Sequence, residues 1–568
     1  MAKRMFCIVL SVLLFCFPVF SLSEEKEPVS FTVDDYVCII LNDQSIEIKD
    51  YYGDEAYIEV PAYIGPRIVT SIGEDAFSIK TNLVEIVLPE SINNIGDDAF
   101  ANCESLETIK ILSSDVSVGR AILRSCPNLV EISIPSDHPS LSVMDGVLID
   151  MAEKKIVCYP AGKEDTFYAV PDGIETIGAS AFSDALKLTE IEIPDSVKKI
   201  EANAFSASGL TSVVIPDSVV EIENNPFESC NDLRSFIVSP DHPVYTAIDG
   251  VLFLKNPQKL VSYPAGKAIF NYTVPIDTTV IGFGSFFGSH ITVLHLAESL
   301  TSIEDYAFGN CKFEKLEIPD GVTSIGASSF ISCRRMTDVY LPNTLNEIKD
   351  HAFARCSKLK SIIIPDSIIN IDNWMFFQCK SLESITLPNT LESIGRDAFR
   401  ECSSLAEIEI PAGVTSIGEY AFNGCSNLRT INLPDGIESI GSRTFFECSS
   451  LESVTIPDGV IEIGYDAFNG CSSLRSVNLP AGLEKILSNT FKNCSSLEGV
   501  TIPDGVTVIG IEAFSGCSSL LSIVIPDSVE KILSNAFDNC ANLVLSVGRN
   551  SYAEEYCQKN KLNYVYSE

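Results

Sequence analysis

One unit of twenty-three residues, written over and over, constrains this chain more than any other feature. One copy runs from Leu451 to Ser473 and reads LESVTIPDGVIEIGYDAFNGCSS, and Leu474 begins the next. Prolines keep that step without a slip from Pro319 through Pro342, Pro365 and Pro388 to Pro526. Cysteines do the same from Cys333 through Cys356 and Cys379 to Cys540. A fixed period of roughly 20–50 residues marks a solenoid, in which each coil buries its apolar face only against its neighbours. The 568 residues are therefore read as one growing line rather than several globular domains.

Within a coil, Leu451, Val454 and Ile456 point inward from a short strand, and Ser453 and Thr455 alternate outward. Pro457-Asp458-Gly459 makes a turn, and Val460 and Ile463 form a second apolar layer. Gly464 is expected to supply a backbone angle that other residues avoid. Ala467 and Phe468 follow, with the phenylalanines stacking from coil to coil, and Cys471 closes the turn.

The regular copies do not fill the chain. Residues 24–67 read as short strands and turns that cap the first coil. Coils occupy 68–135, 170–239 and 274–543. Between them lie two related segments, 136–169 and 240–273, each with Asp-His-Pro, then Asp-Gly-Val-Leu, then Tyr-Pro-Ala-Gly-Lys. Each is read as a β-hairpin projecting from the rod, and His138 and His242, between Asp and Pro, as turn residues rather than metal ligands. Residues 544–568 read as a C-terminal cap, with a capping box at Ser551-Tyr-Ala-Glu554 opening a short helix and a last strand at Leu562–Tyr566.

The unit resembles the BspA-type leucine-rich repeat, a family of bacterial surface and secreted proteins, over about residues 68–543. The resemblance implies a leucine-rich repeat solenoid with a parallel sheet on one face. It also implies roles in adhesion to host matrix proteins or to other cells. The Asn or Cys of the commoner leucine-rich pattern is replaced here by Gly459, Gly505 or Ser528, so the usual asparagine ladder is absent.

Address and charge narrow the function. Lys3 and Arg4 precede an apolar run from Met5 to Phe20, followed by Ser21 and Ser23. That layout predicts a secretory signal peptide over residues 1–23, and hence a secreted or cell-surface protein, with the periplasm as the other destination. No second apolar stretch is long enough to span a bilayer. A formal charge of −38 speaks against nucleic acid and anionic lipid as partners. Cysteines at one position of successive coils sit about 4.8 Å apart with parallel Cβ bonds, a poor geometry for bridging, so they are read as free, buried thiols. No nucleophile elbow, zinc-binding His-Glu-x-x-His or phosphate-binding glycine loop occurs, so no enzyme, cofactor or metal is expected.

A protein or glycoprotein ligand is expected instead, met by the solvent-facing sheet positions. Toward the C-terminus these are mostly Ser, Thr and Asn. The earlier coils are more varied, and we single out Glu317, Asp338, Tyr340, Ile363 and Thr386, with Tyr340 as the aromatic anchor favoured at interfaces. Trp374, the only tryptophan, is a further candidate in the loop before the phenylalanine column. A structural role, as an envelope or periplasmic spacer, is the alternative.

Overall fold

The computed structural model describes residues 30–567, so the expected signal peptide lies outside the described residues. Each coil is a flattened loop with strands on two of its sides. Three-residue strands such as Ser453–Thr455 stack in parallel on the next copy, with Ser453 opposite Ser476 and Val454 opposite Val477. Two-residue strands such as Glu462–Ile463 form a second parallel ladder, with Ile440 opposite Ile463. The solenoid therefore carries parallel sheets on two faces, where one was expected. The second forms because Ile463 points inward while Glu462 stays exposed, the alternation a strand needs.

The third side has no strand, yet it is bonded from coil to coil. Asp466, Phe468 and Gly470 donate their N–H groups to Ser488, Thr490 and Lys492 of the next copy at 3.2, 2.9 and 2.8 Å. Asp466 and Gly470 turn these groups outward by adopting left-handed backbone, at φ 56° and 80°. The same two positions are left-handed in coil after coil, about half of them as Asp, Asn or Gly, the types that tolerate it best.

Gly464 is not among them. A Cβ on Gly464 would sit 2.4 Å from the backbone nitrogen of Ser442 in the previous coil, so glycine is there to let two backbones approach.

Two columns fill the interior. Phenylalanines from Phe286 to Phe537 stack ring on ring with centroids 5.2 to 5.7 Å apart. Beside them, each cysteine donates its thiol to the carbonyl of the phenylalanine one coil back, as Cys471 Sγ does to Phe445 O at 3.1 Å. That carbonyl also accepts the backbone N–H of Cys448 at 3.2 Å, so both of its lone pairs are used. Cysteine is thus more than a small apolar filler: it closes a hydrogen bond that alanine cannot. All seventeen cysteines of the described residues are free, and burial pushes thiols such as Cys379 and Cys425 up to about 12.

The two segments expected as projecting hairpins do not project. Leu141–Met144, Val147–Asp150 and Lys155–Cys158 form an antiparallel meander whose last strand joins the second ladder at Thr176–Ile177. Tyr245–Ile248, Val251–Leu254 and Lys259–Ser262 repeat the design, and so do Ser30–Val33, Tyr36–Ile40 and Ile46–Tyr51 at the N-terminal cap. The three share a left-handed aspartate at the first turn (Asp34, Asp145 and Asp249, φ 50° to 51°). They also share a bulge at the same step, after Val37, Leu148 and Leu252.

Val147, Leu148 and Ile149 are fully buried, because the meander lies across the rod. Leu148 faces the core before it, and Val147 and Ile149 face the core after it. Two such walls divide the interior into three separate cores. A tyrosine starts each new aromatic column: Tyr51 on Phe77, Tyr159 on Phe182 and Tyr263 on Phe286, at 5.2, 5.3 and 5.1 Å.

His138 and His242 are turn residues, as expected. The Nδ1 of His138 accepts the N–H groups of Ser140 and Leu141 at 3.2 and 2.9 Å, and that of His242 accepts those of Val244 and Tyr245 at 3.1 and 3.0 Å. At the far end Ser551 caps the helix Tyr552–Asn560 by accepting the N–H of Glu554 at 3.2 Å, and Tyr564–Tyr566 adds a last parallel strand.

Two measurements check this packing. Gly464→Ala is expected to cost about 1–3 kcal/mol in denaturant unfolding, the range for overpacking. Gly499→Ala, whose Cβ would meet nothing within 4 Å, should be neutral or slightly stabilising. Thiol labelling without reductant should be slow in the folded protein and reach nearly all seventeen cysteines in denaturant; a large unlabelled fraction there would reveal disulfides.

Candidate binding surface

The first ladder delivers the expected sheet residues to one side of the rod. Glu317 lies opposite Tyr340, and Lys315 opposite Asp338, on paired strands. Ile363 lies opposite Thr386 on the next pair, Ser361–Ile363 with Ser384–Thr386. The two pairs are separate sheets, joined where Lys360 donates its N–H to the Thr337 carbonyl at 3.2 Å. Tyr340 is 54% and Ile363 69% exposed, high values for residues of their size. Asp338 is held by the Thr337 hydroxyl at 2.7 Å and by Lys315 at 3.4 Å, and these partners keep its carboxyl below the usual range. Thr386 opens onto a shallow groove of about 760 Å3 whose far side is Glu409, Pro411 and Asn432.

Trp374 does not join this group. It occupies the left-handed position of its coil on the strandless side, at φ 53°. Its half-buried ring stacks on His351 of the preceding coil, with centroids 4.8 Å apart and planes 12° from parallel. Burial there pushes the His351 imidazole below its ordinary pKa.

Trp374 belongs instead to a feature that reading the sheet alone misses. Arg355 and Arg400 lie over Phe377 at 5.8 and 5.7 Å. Arg396 and Arg443 lie over Tyr420 at 5.2 and 5.7 Å, and Arg443 also covers Phe446 at 5.6 Å. Guanidinium and ring alternate along several coils. Most of these arginines are neutralised: Arg396 and Arg400 by Asp397 at 3.3 and 3.2 Å, and Arg443 by Asp466 at 3.3 Å. The signal was present in the sequence as a column. Aligned by repeat position, His351, Trp374, Tyr420 and Arg443 stand where most other coils hold Asp, Asn or Ser.

Among the described residues no group of three or more His, Cys, Asp or Glu is arranged to hold a metal ion. No helix among them is long and apolar enough to cross a membrane.

With two parallel ladders, the aromatic column and the cysteine bonds in place, comparison with known proteins fixes the family. The model of the BspA type leucine-rich repeat region matches residues 57–144, 164–266, 262–383, 370–498 and 416–544. The chain belongs to the BspA-type leucine-rich repeat family. A leucine-rich cell surface protein from Faecalibacterium prausnitzii is 26% identical over 69% of this chain and 95% of its own, at a TM-score of 0.38. A leucine-rich repeat protein from Eubacterium ventriosum is 20% identical over 70% of this chain and 95% of its own, at a TM-score of 0.40. The pneumococcal vaccine antigen PcpA is 17% identical over 96% of this chain and 100% of its own, at a TM-score of 0.25. No curated relative matches the chain.

The single tryptophan makes the His351 contact measurable. Imidazolium quenches a stacked indole, so Trp374 emission should fall as pH drops, with a midpoint below the usual value of about 6.5. His351→Phe should keep the stack and abolish the titration. An unchanged pH profile in that variant would place the quencher elsewhere.

Proposed function

We propose that this BspA-type protein is a secreted or cell-surface binding protein that does no chemistry of its own and contacts a protein or glycoprotein through its first sheet face. One observation carries the reading. Tyr340 and Ile363 stand exposed on successive pairs of strands, flanked by Glu317, Asp338 and Thr386, where the coils that follow hold mostly Ser, Thr and Asn on the same face. An exposed aromatic and a large aliphatic among fixed polar groups form the core-and-rim pattern of a hot spot. Adhesion to host matrix or to other cells is the biological role this surface suits.

A spacer role has its own support. The aromatic column and the coil-to-coil bonds on three sides make a stiff rod, which a tether or scaffold needs.

Binding to immobilised matrix glycoproteins by biolayer interferometry separates the two. Tyr340→Ala is expected to weaken binding by roughly tenfold or more, a loss of about 1.4–2 kcal/mol typical of an interface aromatic. Thr386→Arg, which places a long charged chain beside Ile363, should weaken it further. No binding to any matrix or cell-surface component at micromolar protein would leave the spacer reading standing.

A further inference from the structure

The copies of the repeat serve as one another's reference, and against them one short edge departs. After the ladder cysteine, the later coils read Ser403-Ser404, Ser426-Asn427, Ser449-Ser450, Ser472-Ser473, Ser495-Ser496 and Ser518-Ser519. The hydroxyls of Ser449, Ser472, Ser495 and Ser518 bond the carbonyl of the matching serine one coil back, at 3.2 to 3.3 Å, which is sufficient to finish the turn. At the same place two adjacent coils carry Arg334-Arg335 and Ser357-Lys358. Arg355 and Lys360 flank the second of these turns. All five cations are exposed, and none has a carboxylate within ion-pair distance among the described residues.

Cations without an ion pair occur elsewhere in the chain, but here five gather on two adjacent coils against a background of 77 acidic and 39 basic side chains. The nearest acids are engaged or lie at the margin. Asp338 is held by Lys315 and Thr337, and Glu401 by Lys380 at 3.6 Å and Gln378 at 3.0 Å. Glu314 and Glu383 border the patch one coil to either side, in the column that contains Thr337 and Lys360. Arg355 is kept in place by Phe377, 5.8 Å below its guanidinium, which leaves its outer edge free to donate.

We propose that this edge binds a linear anionic glycan, a polysaccharide bearing sulfate or carboxylate groups at regular intervals. Charge complementarity supports an anion, and the spacing selects the polymer. Arg335 and Lys358 hold the same place on adjacent coils, one step of about 4.8 Å apart, close to the length of one sugar in a chain. An extended acidic peptide returns side chains to the same side only every ~6.8 Å, two strand residues. A nucleic acid duplex, with a charge every ~1.7 Å, would overrun so short a patch and meet the acidic coils on either side. Acids two or more coils away lie beyond the Debye length of about 8 Å at physiological salt and are largely screened from a ligand confined to the patch. The edge adjoins the strand that carries Tyr340 but shares no residue with the proposed protein-binding face, so the two can be tested apart.

The test uses the chain from residue 24 to its C-terminus, with immobilised heparin as the sulfated probe and hyaluronan as the carboxylated one. Dextran, polyglutamate and a thymidine oligonucleotide are the comparators. The variant R334S/R335S/K358S restores residues that the other coils already use, so folding is preserved, and circular dichroism verifies it. Binding to heparin or hyaluronan should weaken as salt rises, exceed that to the comparators, and drop by roughly tenfold in the triple variant, on the scale of three exposed charge contacts. Tyr340→Ala should leave it within about twofold, whatever that variant does to protein ligands. The proposal is overturned by equal binding of the folded triple variant or by the absence of binding to both glycans at 100 µM. Preference for polyglutamate would overturn it in favour of an acidic peptide, and preference for the oligonucleotide in favour of nucleic acid.

Discussion

Every coil in this protein rests on a near copy of itself, and the rest of the structure follows from that. A side chain at a given repeat position meets the same position one coil away, so only residues that are good neighbours to themselves can occupy the interior. Phenylalanine stacks on phenylalanine. The thiol of cysteine reaches the carbonyl that the previous phenylalanine leaves half-used. Glycine appears where two backbones need to touch. The period holds at twenty-three residues from Phe330 to Phe537. Where a coil is one residue shorter, as from Phe286 to Phe308 and from Phe308 to Phe330, the turns absorb the difference and the rings still stack at 5.3 and 5.2 Å.

The same rule acts against charge. A carboxylate repeated at one position would face its copy at about 4.8 Å, a separation at which like charges repel. The chain interleaves bases where it can. Lys199 answers Glu221 and Glu223, Arg443 answers Asp466, and Lys492 answers Glu512. Between modules, Arg120 of the first reaches Glu223 of the second at 2.9 Å. The cations around Arg334 stand out because five of them crowd onto two adjacent coils without an ion pair among them.

Much of the fold was legible, since period, inward positions and caps are set by self-packing and leave a direct trace in the sequence. What escaped reading depended on relations between coils. The second ladder is only two residues long per coil, too short for alternation to announce it. Gly464 looked like a conformational glycine, and only the distance to Ser442 shows it to be a steric one. The two inserted segments had the apolar runs of hairpins, but their direction relative to the rod is a tertiary fact. Leu148 and Ile149, adjacent in sequence and both apolar, each needed a core of their own, which a projecting hairpin would not supply. For the surface, Tyr340 and Ile363 are exposed where their parity placed them. Trp374 is separated from them because its coil position, not its residue type, decides which side it occupies.

The transverse walls have a consequence for how the rod fails. In a plain solenoid, a coil lost at one end exposes the next, and fraying can run the whole length like an unzipped seam. Here the antiparallel meanders at Leu141–Cys158 and Tyr245–Ser262 hold hydrogen bonds within themselves and present a finished apolar face in both directions. Each keeps its own hydrogen bonds when the coils on one side are lost, and so goes on covering the core on the other. Damage arriving from one side, by shear, heat or a protease, meets a bulkhead before it reaches the next compartment.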